Sequence, residues 1–416
     1  MFIANHELHP IKKGVGDLAL FGGAPAFEEP LHVGRPNIGN RQTFEKRMAD
    51  ILDRRWLTNG GVYVDEFERR LAEFIGAEHC VTMCNGTVGL EIAIRALRLT
   101  GEVIVPSFTF IATVHALQWQ EITPVFCDID PQTHTLDPRK IEELITARTT
   151  GIIGAHIWGR ACDTRAIEAI AQRRGLKVMY DAAHAFGCSH EGHRIGSFGE
   201  CEVFSFHATK IINSFEGGAV VTNNDDLAKK IRLMRNFGFT DYDRVSCIGT
   251  NGKMNEVSAA MGLTNMESMA DFIAVNRRNY KQYAAELAGL EGVTPLAYNE
   301  AEECNYQYVV LEIDERKTIV TRDQLMEILH AENVLARRYF SPGCHRMEPY
   351  RSYLPDAGLL LPETERLAGR VLALPTGTAI EFKEIRAICD VVKLVIANGA
   401  EASERLRFRL AAHVSR

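Results

Sequence analysis

Short apolar runs alternate with stretches of helical spacing through the middle of this 416-residue chain, and this alternation restricts the possible folds more than any other feature. The apolar runs have the length and character of strands and cover residues 103–105, 124–128, 151–155, 177–180, 202–206 and 219–222. Helical spacing covers residues 63–75, 87–99, 138–145 and 164–174, and Asp137 is placed to cap the third of these helices. Strands that alternate with helices predict an α/β fold, in which helices cover both faces of a mostly parallel sheet.

The pattern changes after about residue 265. The second part of the chain is predicted to contain, in order, a long helix (265–290), a strand (308–313), a helix (322–331), a strand (334–340) and a helix (383–396). This is an α+β pattern with fewer strands. We therefore predict an N-terminal arm (1–35), a large domain (36–265) and a smaller C-terminal domain (266–416).

Composition and charge exclude several classes of protein. Apolar residues make up 46% of the chain and charged residues 24%, as in soluble globular proteins. The formal charge of -7 gives no indication of a nucleic-acid partner, and no run of about eighteen apolar residues is present to span a membrane. Residues 1–16 mix charged and polar side chains too early for a signal peptide. The ten cysteines are scattered and form no Cys-x-x-Cys motif, which predicts reduced thiols in a cytoplasmic protein without a metal site.

Lys210 follows one of the predicted strands, in the sequence VFSFHATK (203–210), and Gly217 and Gly218 then lead into the next apolar run. Burial disfavours the charged form of an amine and lowers its pKa, so a lysine at this place is suited to forming a Schiff base with an aldehyde. A lysine at the end of a strand can also extend to solvent, and this segment alone does not decide between the two.

Asp181 directly follows the apolar run 177–180, and the next apolar run, 202–206, leads to Lys210. Ligands of open parallel sheets bind outside the carboxyl ends of the strands, so the two side chains are expected to meet at one edge of the sheet. A pyridoxal cofactor requires such a pair, because the lysine holds its aldehyde carbon and the carboxylate keeps its ring nitrogen protonated. The alternative for Asp181 is an ordinary aspartate in a turn after a strand.

Three further positions fit the same cofactor. Gly86 and Thr87 lie where a helix is predicted to begin, and the N-terminus of a helix binds phosphate groups well. Ser205 is a candidate second donor to the phosphate. Phe110 follows a strand and is placed to stack on an aromatic ring. Each also has a structural alternative: a plain helix cap, a strand serine and a core phenylalanine.

Together these segments resemble the DegT/DnrJ/EryC1/StrS family of sugar aminotransferases, which are fold-type I transferases dependent on pyridoxal 5'-phosphate (PLP). The resemblance extends from about Asp17 to near Ile396. It is carried by the motifs LTNGG (57–61), NGT (85–87), PSFTF (106–110), DAAH (181–184), SFHATK (205–210), EGG (216–218) and GTN (249–251).

The resemblance implies a role for each matching residue. Lys210 would form the Schiff base, Asp181 would pair with the ring nitrogen and His184 would approach the ring hydroxyl. The phosphate would be held by Gly86, Thr87 and Ser205. Asn251 matches an asparagine that reaches the cofactor of the neighbouring subunit, which implies a homodimer with shared active sites. The family often has an aromatic residue where this chain has Thr250 and an arginine where it has Lys253.

The resemblance also implies an activity. Residues 340–350 and 374–380 match the subgroup that moves an amino group from L-glutamate to the C4 ketone of dTDP-4-keto-6-deoxy-D-glucose, giving dTDP-4-amino-4,6-dideoxy-D-glucose. Some relatives carry histidine in place of the lysine and perform dehydration, so Lys210 favours amino transfer. The candidate substrate-binding residues are Asn59, Gly60, Lys253, Arg337, Arg338, His345 and Arg346.

Other functions remain open at this point. A 3-aminotransferase, or a GDP-perosamine synthase acting on another nucleotide keto-sugar, would use the same chemistry in a different pocket. A PLP-dependent sugar dehydratase is disfavoured by Lys210, and a non-catalytic regulator is disfavoured because Lys210, Asp181 and Thr87 are all present. An NAD-binding fold is excluded, since no Gly-x-Gly-x-x-Gly follows the first strand.

Overall fold

The computed structural model describes residues 12–414, and the side chains of residues 12–409. Residues 1–11, which belong to the predicted arm and to the stretch that argued against a signal peptide, lie outside the described residues, as do residues 415–416. No helix in the described part of the chain is long and apolar enough to cross a bilayer.

The described residues form sixteen strands and fourteen α-helices. The strands are β1 (Leu31–His32), β2 (His79–Met83), β3 (Glu102–Pro106), β4 (Thr123–Cys127), β5 (Thr149–Ala155), β6 (Lys177–Asp181), β7 (Ser189–His190), β8 (His193–Arg194), β9 (Cys201–Ser205), β10 (Gly218–Thr222), β11 (Phe239–Asp241), β12 (Arg244–Val245), β13 (Val293–Pro295), β14 (Val309–Ile313), β15 (Val334–Leu335) and β16 (Val371–Leu374). The helices are α1 (Arg41–Arg54), α2 (Val62–Ile75), α3 (Gly86–Ala96), α4 (Ile111–Gln118), α5 (Thr164–Arg174), α6 (Asp225–Arg235), α7 (Glu256–Glu267), α8 (Met269–Glu286), α9 (Glu315–Thr318), α10 (Arg322–Ala331), α11 (Tyr350–Tyr353), α12 (Pro362–Ala368), α13 (Phe382–Ala397) and α14 (Gly399–Val414).

The largest sheet has seven strands in the order β2-β10-β9-β6-β5-β3-β4. Only β10 runs against its neighbours, so the other six strands are parallel to one another. Most residues of these strands are buried, because helices cover the sheet. This explains why the strands are apolar along nearly their whole length. The α/β fold with a mostly parallel sheet, predicted from the sequence, is confirmed.

Three predicted elements differ in the structure. Residues 138–145 form two short 3-10 turns and no α-helix, although the Asp137 carboxylate does accept a hydrogen bond from the Arg139 N–H at 3.0 Å. The helix predicted at 265–290 is interrupted at Ser268, whose φ of -103° and ψ of 3° end α7 and begin α8. The strand predicted at 334–340 ends at Leu335, because the Ala336 N–H turns back to the Val334 carbonyl at 2.8 Å.

A second, antiparallel sheet has the order β13-β14-β16 and packs with α8, α10 and α13. The N-terminal segment contributes to the same apolar cluster through Leu18, Phe27 and Leu31. Strand β1 also pairs in parallel with β15, with Leu31 opposite Val334. The described part of the arm is therefore packed against the C-terminal elements.

Candidate active site

The carboxyl ends of the central strands border a cavity of about 400 Å³. Strand β6 brings Asp181 to this edge, β9 brings Ser205, and the turn after β9 brings Lys210. The neighbours β6 and β9 are parallel, with Asp181 opposite Val203, so their ends lie side by side. This is the place where open parallel sheets bind their ligands.

Lys210 is half-buried at the edge of the cavity, and its backbone N–H closes a turn onto the His207 carbonyl at 2.9 Å. Burial of the ammonium group lowers the pKa of Lys210 to about 8, although the charge of Asp181 acts in the opposite direction. The neutral amine, which a nucleophile requires, is therefore more abundant near neutral pH than it is in a solvent-exposed lysine.

Asp181 is buried and its carboxylate has two donors. The Thr113 hydroxyl donates to Oδ2 at 2.7 Å, and the Ala183 N–H donates to Oδ1 at 3.1 Å. Thr113 in turn lies 2.9 Å from the Thr109 hydroxyl. These hydrogen bonds fix the orientation of the carboxylate toward the cavity that Asp181 lines.

His184 is buried among aromatic side chains, with its ring stacked on Phe340 and tilted against Tyr308. Burial lowers its pKa well below the ordinary value, and the charge of Lys210 acts in the same direction. The ring is therefore neutral. Because the backbone N–H of Trp158 donates to Nδ1 at 3.4 Å, the proton of the neutral ring belongs on Nε2.

The N-terminus of α3 lies next to the end of β9. Asn85 caps the helix by accepting the Val88 N–H at 2.9 Å, and Gly86 and Thr87 both line the cavity. A Cβ at Gly86 would be 3.1 Å from the Ser205 Cβ, and a Cβ at Gly218 would be 2.7 Å from the Gly86 nitrogen. The two glycines thus allow a close approach of three backbone segments, at a helix end whose first N–H groups have no acceptor within the helix.

Phe110 also lines the cavity and is 57% exposed, so it is not a core residue. It stands at the N-cap of α4, directly after the strand β3 and the loop that follows it. An exposed ring at the edge of a cavity offers a surface for stacking on a planar ligand.

The residues proposed for substrate binding divide into two groups. Arg337 lines the cavity, and its position is fixed by two backbone hydrogen bonds with Ala373, at 3.0 and 2.7 Å. The lining of the cavity does not include Asn59, Gly60, Lys253, Arg338, His345 or Arg346. Of these, His345 is buried between the Ser107 hydroxyl at 2.7 Å and the Glu365 carboxylate at 2.6 Å.

The other five residues outside the cavity lining are exposed, except for Lys253, which is half-buried. Asn59 and Gly60 form an exposed loop with φ values of 66° and 69°. Arg338 pairs with Asp323 at 2.9 Å, Arg346 pairs with Glu365 at 2.5 Å, and the Lys253 amine lies over the Phe237 ring. Asn251 is exposed and forms a backbone bridge with Asn236, outside the cavity.

Comparison with known proteins identifies the family. Residues 39–393 match the model of the DegT/DnrJ/EryC1/StrS aminotransferase family. The chain belongs to this family. Its members are PLP-dependent transaminases, and the expected family, cofactor and class of enzyme are confirmed.

Relatives and solved structures of this aminotransferase family match nearly the whole chain. The chain is 38% identical over 368 residues to the dTDP-4-amino-4,6-dideoxy-D-glucose transaminase of Shigella dysenteriae, covering 88% of this chain and 99% of that protein. It is 34% identical over 373 residues to the GDP-perosamine synthase of Caulobacter vibrioides, covering 88% and 98%. It is also similar to DesI, crystallised in the presence of its TDP-sugar product, with a TM-score of 0.91, 49% identity, and coverage of 95% of this chain and 100% of that chain.

The residues around the cavity fit PLP. The close approach that Gly86 and Gly218 allow leaves a cradle beside a helix N-terminus, which suits a phosphate. An amine with a lowered pKa and an oriented buried carboxylate line the same cavity. When bound, PLP links covalently to an amine and withdraws electrons from the carbon that bears it, so that this carbon releases a proton more easily.

The sequence patterns missed three residues that contact the site of this aminotransferase, of which only Tyr308 lines the cavity itself. Thr113 orients Asp181 from α4, Trp158 sets the tautomer of His184, and Tyr308 packs against His184 from the segment before β14. Nothing in their local sequence distinguishes them from ordinary core residues. Only the packing of distant elements brings them to the site.

Proposed function

We propose that this aminotransferase moves an amino group from L-glutamate to the C4 ketone of dTDP-4-keto-6-deoxy-D-glucose, giving dTDP-4-amino-4,6-dideoxy-D-glucose. The observation that carries the proposal is the 49% identity, over 95% of the chain, with DesI, which was crystallised in the presence of its TDP-sugar product. The relative from Shigella dysenteriae, which is named a transaminase for the same sugar nucleotide, supports it.

Each side chain of the site has a proposed task. The neutral amine of Lys210 takes a proton from the α-carbon of L-glutamate, and in the second half-reaction it delivers a proton to the sugar carbon that receives the nitrogen. A positioned acid–base group of this kind contributes about 10²–10⁴ in rate. The Asp181 carboxylate pairs with the cofactor ring nitrogen. The neutral His184 offers its Nε2 proton to the ring hydroxyl, and Phe110 stacks on the ring.

Charge at the cavity supports an anionic substrate. Arg337 lines the cavity together with Lys210, and it lacks a carboxylate partner among the ion pairs of the described residues. We propose that Arg337 binds the pyrophosphate of the nucleotide. Asn59, Gly60, Lys253, Arg338 and Arg346 lie outside this chain's own cavity and stay predicted substrate contacts that would need the neighbouring subunit. His345 also stays a prediction, although its burial between Ser107 and Glu365 does not support a substrate contact.

A homodimer with shared active sites is part of the proposal. Leu52, Leu57 and Phe215 border a surface groove, and the nearby Trp56 is 54% exposed. Exposed apolar side chains grouped in this way are typical of a surface that another protein covers. A second copy of this chain would also bring Asn251, which lies outside its own cavity, to the phosphate of the partner's cofactor.

We also propose that the enzyme works in the cytoplasm. All ten cysteines are free thiols in the structure, and eight of them are buried. Free thiols in this number are typical of a reducing compartment.

The test is an assay of the purified holoenzyme with L-glutamate and dTDP-4-keto-6-deoxy-D-glucose, followed by mass spectrometry of the sugar nucleotide and by NMR to locate the nitrogen. Nitrogen at C4 supports the proposal, and nitrogen at C3 contradicts it. Product from GDP-4-keto-6-deoxymannose alone would favour the activity of the GDP-perosamine synthase relatives. The Lys210→Ala variant is the control and should give no product with either sugar.

A further inference from the structure

Gln307 is the only side chain among the described hydrogen bonds that joins both peptide groups next to Lys210. Its amide nitrogen donates to the Thr209 carbonyl at 2.9 Å, and its amide oxygen accepts the Ile211 N–H at 3.2 Å. Thr209 and Ile211 directly precede and follow Lys210. The side chain therefore holds the backbone of the lysine from both sides.

The Gln307 contact joins two segments that are far apart in the chain. Gln307 lies far along the chain, two residues before the start of β14, which belongs to the second sheet. Lys210 lies in a turn after β9 of the large sheet, where no strand partner fixes the peptide groups on either side of it. The Gln307 side chain thus replaces ladder hydrogen bonds that the turn lacks.

The segment that carries Gln307 is itself anchored to the active site. The Gln307 N–H donates to the Asn305 side-chain oxygen at 3.0 Å, and the Asn305 amide nitrogen donates to the carbonyls of His184 and Phe186 at 3.1 and 3.0 Å. Asn305 is fully buried. One short segment therefore fixes the loop that contains His184 and the turn that contains Lys210 relative to each other.

We propose that Gln307 is a positioning residue for proton transfer, which holds the main chain of Lys210 so that its amine reaches the reacting carbon. The proposal rests on the proposed role of Lys210 as the group that moves the proton. A misplacement of about 1 Å at a reacting group costs on the order of 10²-fold in rate, so a loosened turn should slow the proton-transfer step in particular. Substrate binding depends on other residues and should change little.

The test compares Gln307→Met with the wild-type holoenzyme in the half-reaction with L-glutamate, followed by stopped-flow absorbance of the cofactor. Methionine keeps the length of the side chain and removes both hydrogen bonds to the lysine turn, together with a longer one of 3.4 Å to the Tyr308 hydroxyl. The control is Tyr306→Phe, which removes a hydrogen bond to Glu300 from the neighbouring residue without touching the lysine turn. The expected result is a rate at least about tenfold lower for Gln307→Met and unchanged for Tyr306→Phe.

The kinetic isotope effect separates positioning from general damage. With L-glutamate deuterated at the α-carbon, the effect should be larger in Gln307→Met than in the wild type, because proton transfer has become slower relative to the other steps. An unchanged rate, or a lower rate with an unchanged isotope effect, would overturn the proposal. If the wild type itself does not react with L-glutamate, the proposed amino donor is wrong, and the same comparison is made in reverse with the 4-amino sugar nucleotide deuterated at C4.

Discussion

The Thr113 hydroxyl is the strongest single support of Asp181, at 2.7 Å from a carboxylate oxygen inside the protein. A hydrogen bond to a charged group contributes about 1.5–3 kcal/mol, equivalent to about 10- to 160-fold in rate if it is needed in the transition state. We expect Thr113→Val to lower kcat/KM for L-glutamate by about that factor, while Thr113→Ser, which keeps the hydroxyl, changes it little. Equal rates for both variants would show that the orientation of Asp181 does not depend on this contact.

The lowered pKa of Lys210 predicts a pH dependence. The neutral amine becomes the main form as the pH rises through about 8. The rate at which PLP attaches covalently to the apoenzyme should therefore rise with pH and level off above about 8. Since the charge of Asp181 raises this pKa, the midpoint should move to lower pH in Asp181→Asn. Absorbance of the attached cofactor follows the reaction, and a midpoint near that of free lysine would contradict the burial of the amine.

At the scale of elements, the phosphate cradle depends on how closely β10 passes the start of α3. A Cβ at Gly218 would be 2.7 Å from both the Asn85 carbonyl carbon and the Gly86 nitrogen, which are backbone atoms that cannot move independently. Gly218→Ala should push the helix N-terminus away and weaken PLP binding by at least about tenfold, an amount equal to a loss of about 1.4 kcal/mol. Equilibrium dialysis of the apoenzyme measures this.

Gly369→Ala is the matched control for that substitution. Its added Cβ would meet nothing closer than 3.6 Å, and its backbone has the ordinary helical conformation. PLP binding should be unchanged. If both variants bind PLP like the wild type, the cradle tolerates a side chain and does not hold the phosphate.

The local sequence pattern predicted the bounds of some strands and helices correctly and missed those of others. The buried strands β3 to β6 and the helices α5 and α10 match their predicted ranges within two residues, because apolar runs and helical spacing are properties of the local sequence. The break at Ser268 and the early end of β15 at Leu335 were missed, because each is set by a backbone turn within an otherwise apolar pattern.

For the whole molecule, the N-terminal arm is anchored by the buried carboxylate of Glu332. It accepts the N–H groups of Ala19 and Ala26 at 2.6 and 2.7 Å and pairs with Lys12 at 3.3 Å. Glu332→Ala leaves these buried donors without an acceptor and should lower the free energy of unfolding by about 2–4 kcal/mol. Urea denaturation measures the loss, and limited proteolysis should cut the arm faster.

The exposed Glu404 provides the control for this prediction. Glu404→Ala removes a carboxylate at the surface of α14 and should change the free energy of unfolding by no more than about 0.5 kcal/mol. Equal losses in the two variants would contradict the anchoring role of Glu332. We also propose that the large and small domains divide near residue 265, with the described part of the arm belonging to the small domain.

Patterns and motifs in the sequence were enough to predict the fold class, the family and seven residues that the structure brings to one cavity: Lys210, Asp181, His184, Gly86, Thr87, Ser205 and Phe110. This was possible because the periods of strands and helices are properties of the local sequence. The motifs also lie at the ends of the strands and helices that line the cavity. Only the tertiary structure placed Thr113, Trp158 and Gln307 against those residues, and placed His345 outside the cavity. Their contacts join segments far apart in the chain, which no local pattern encodes.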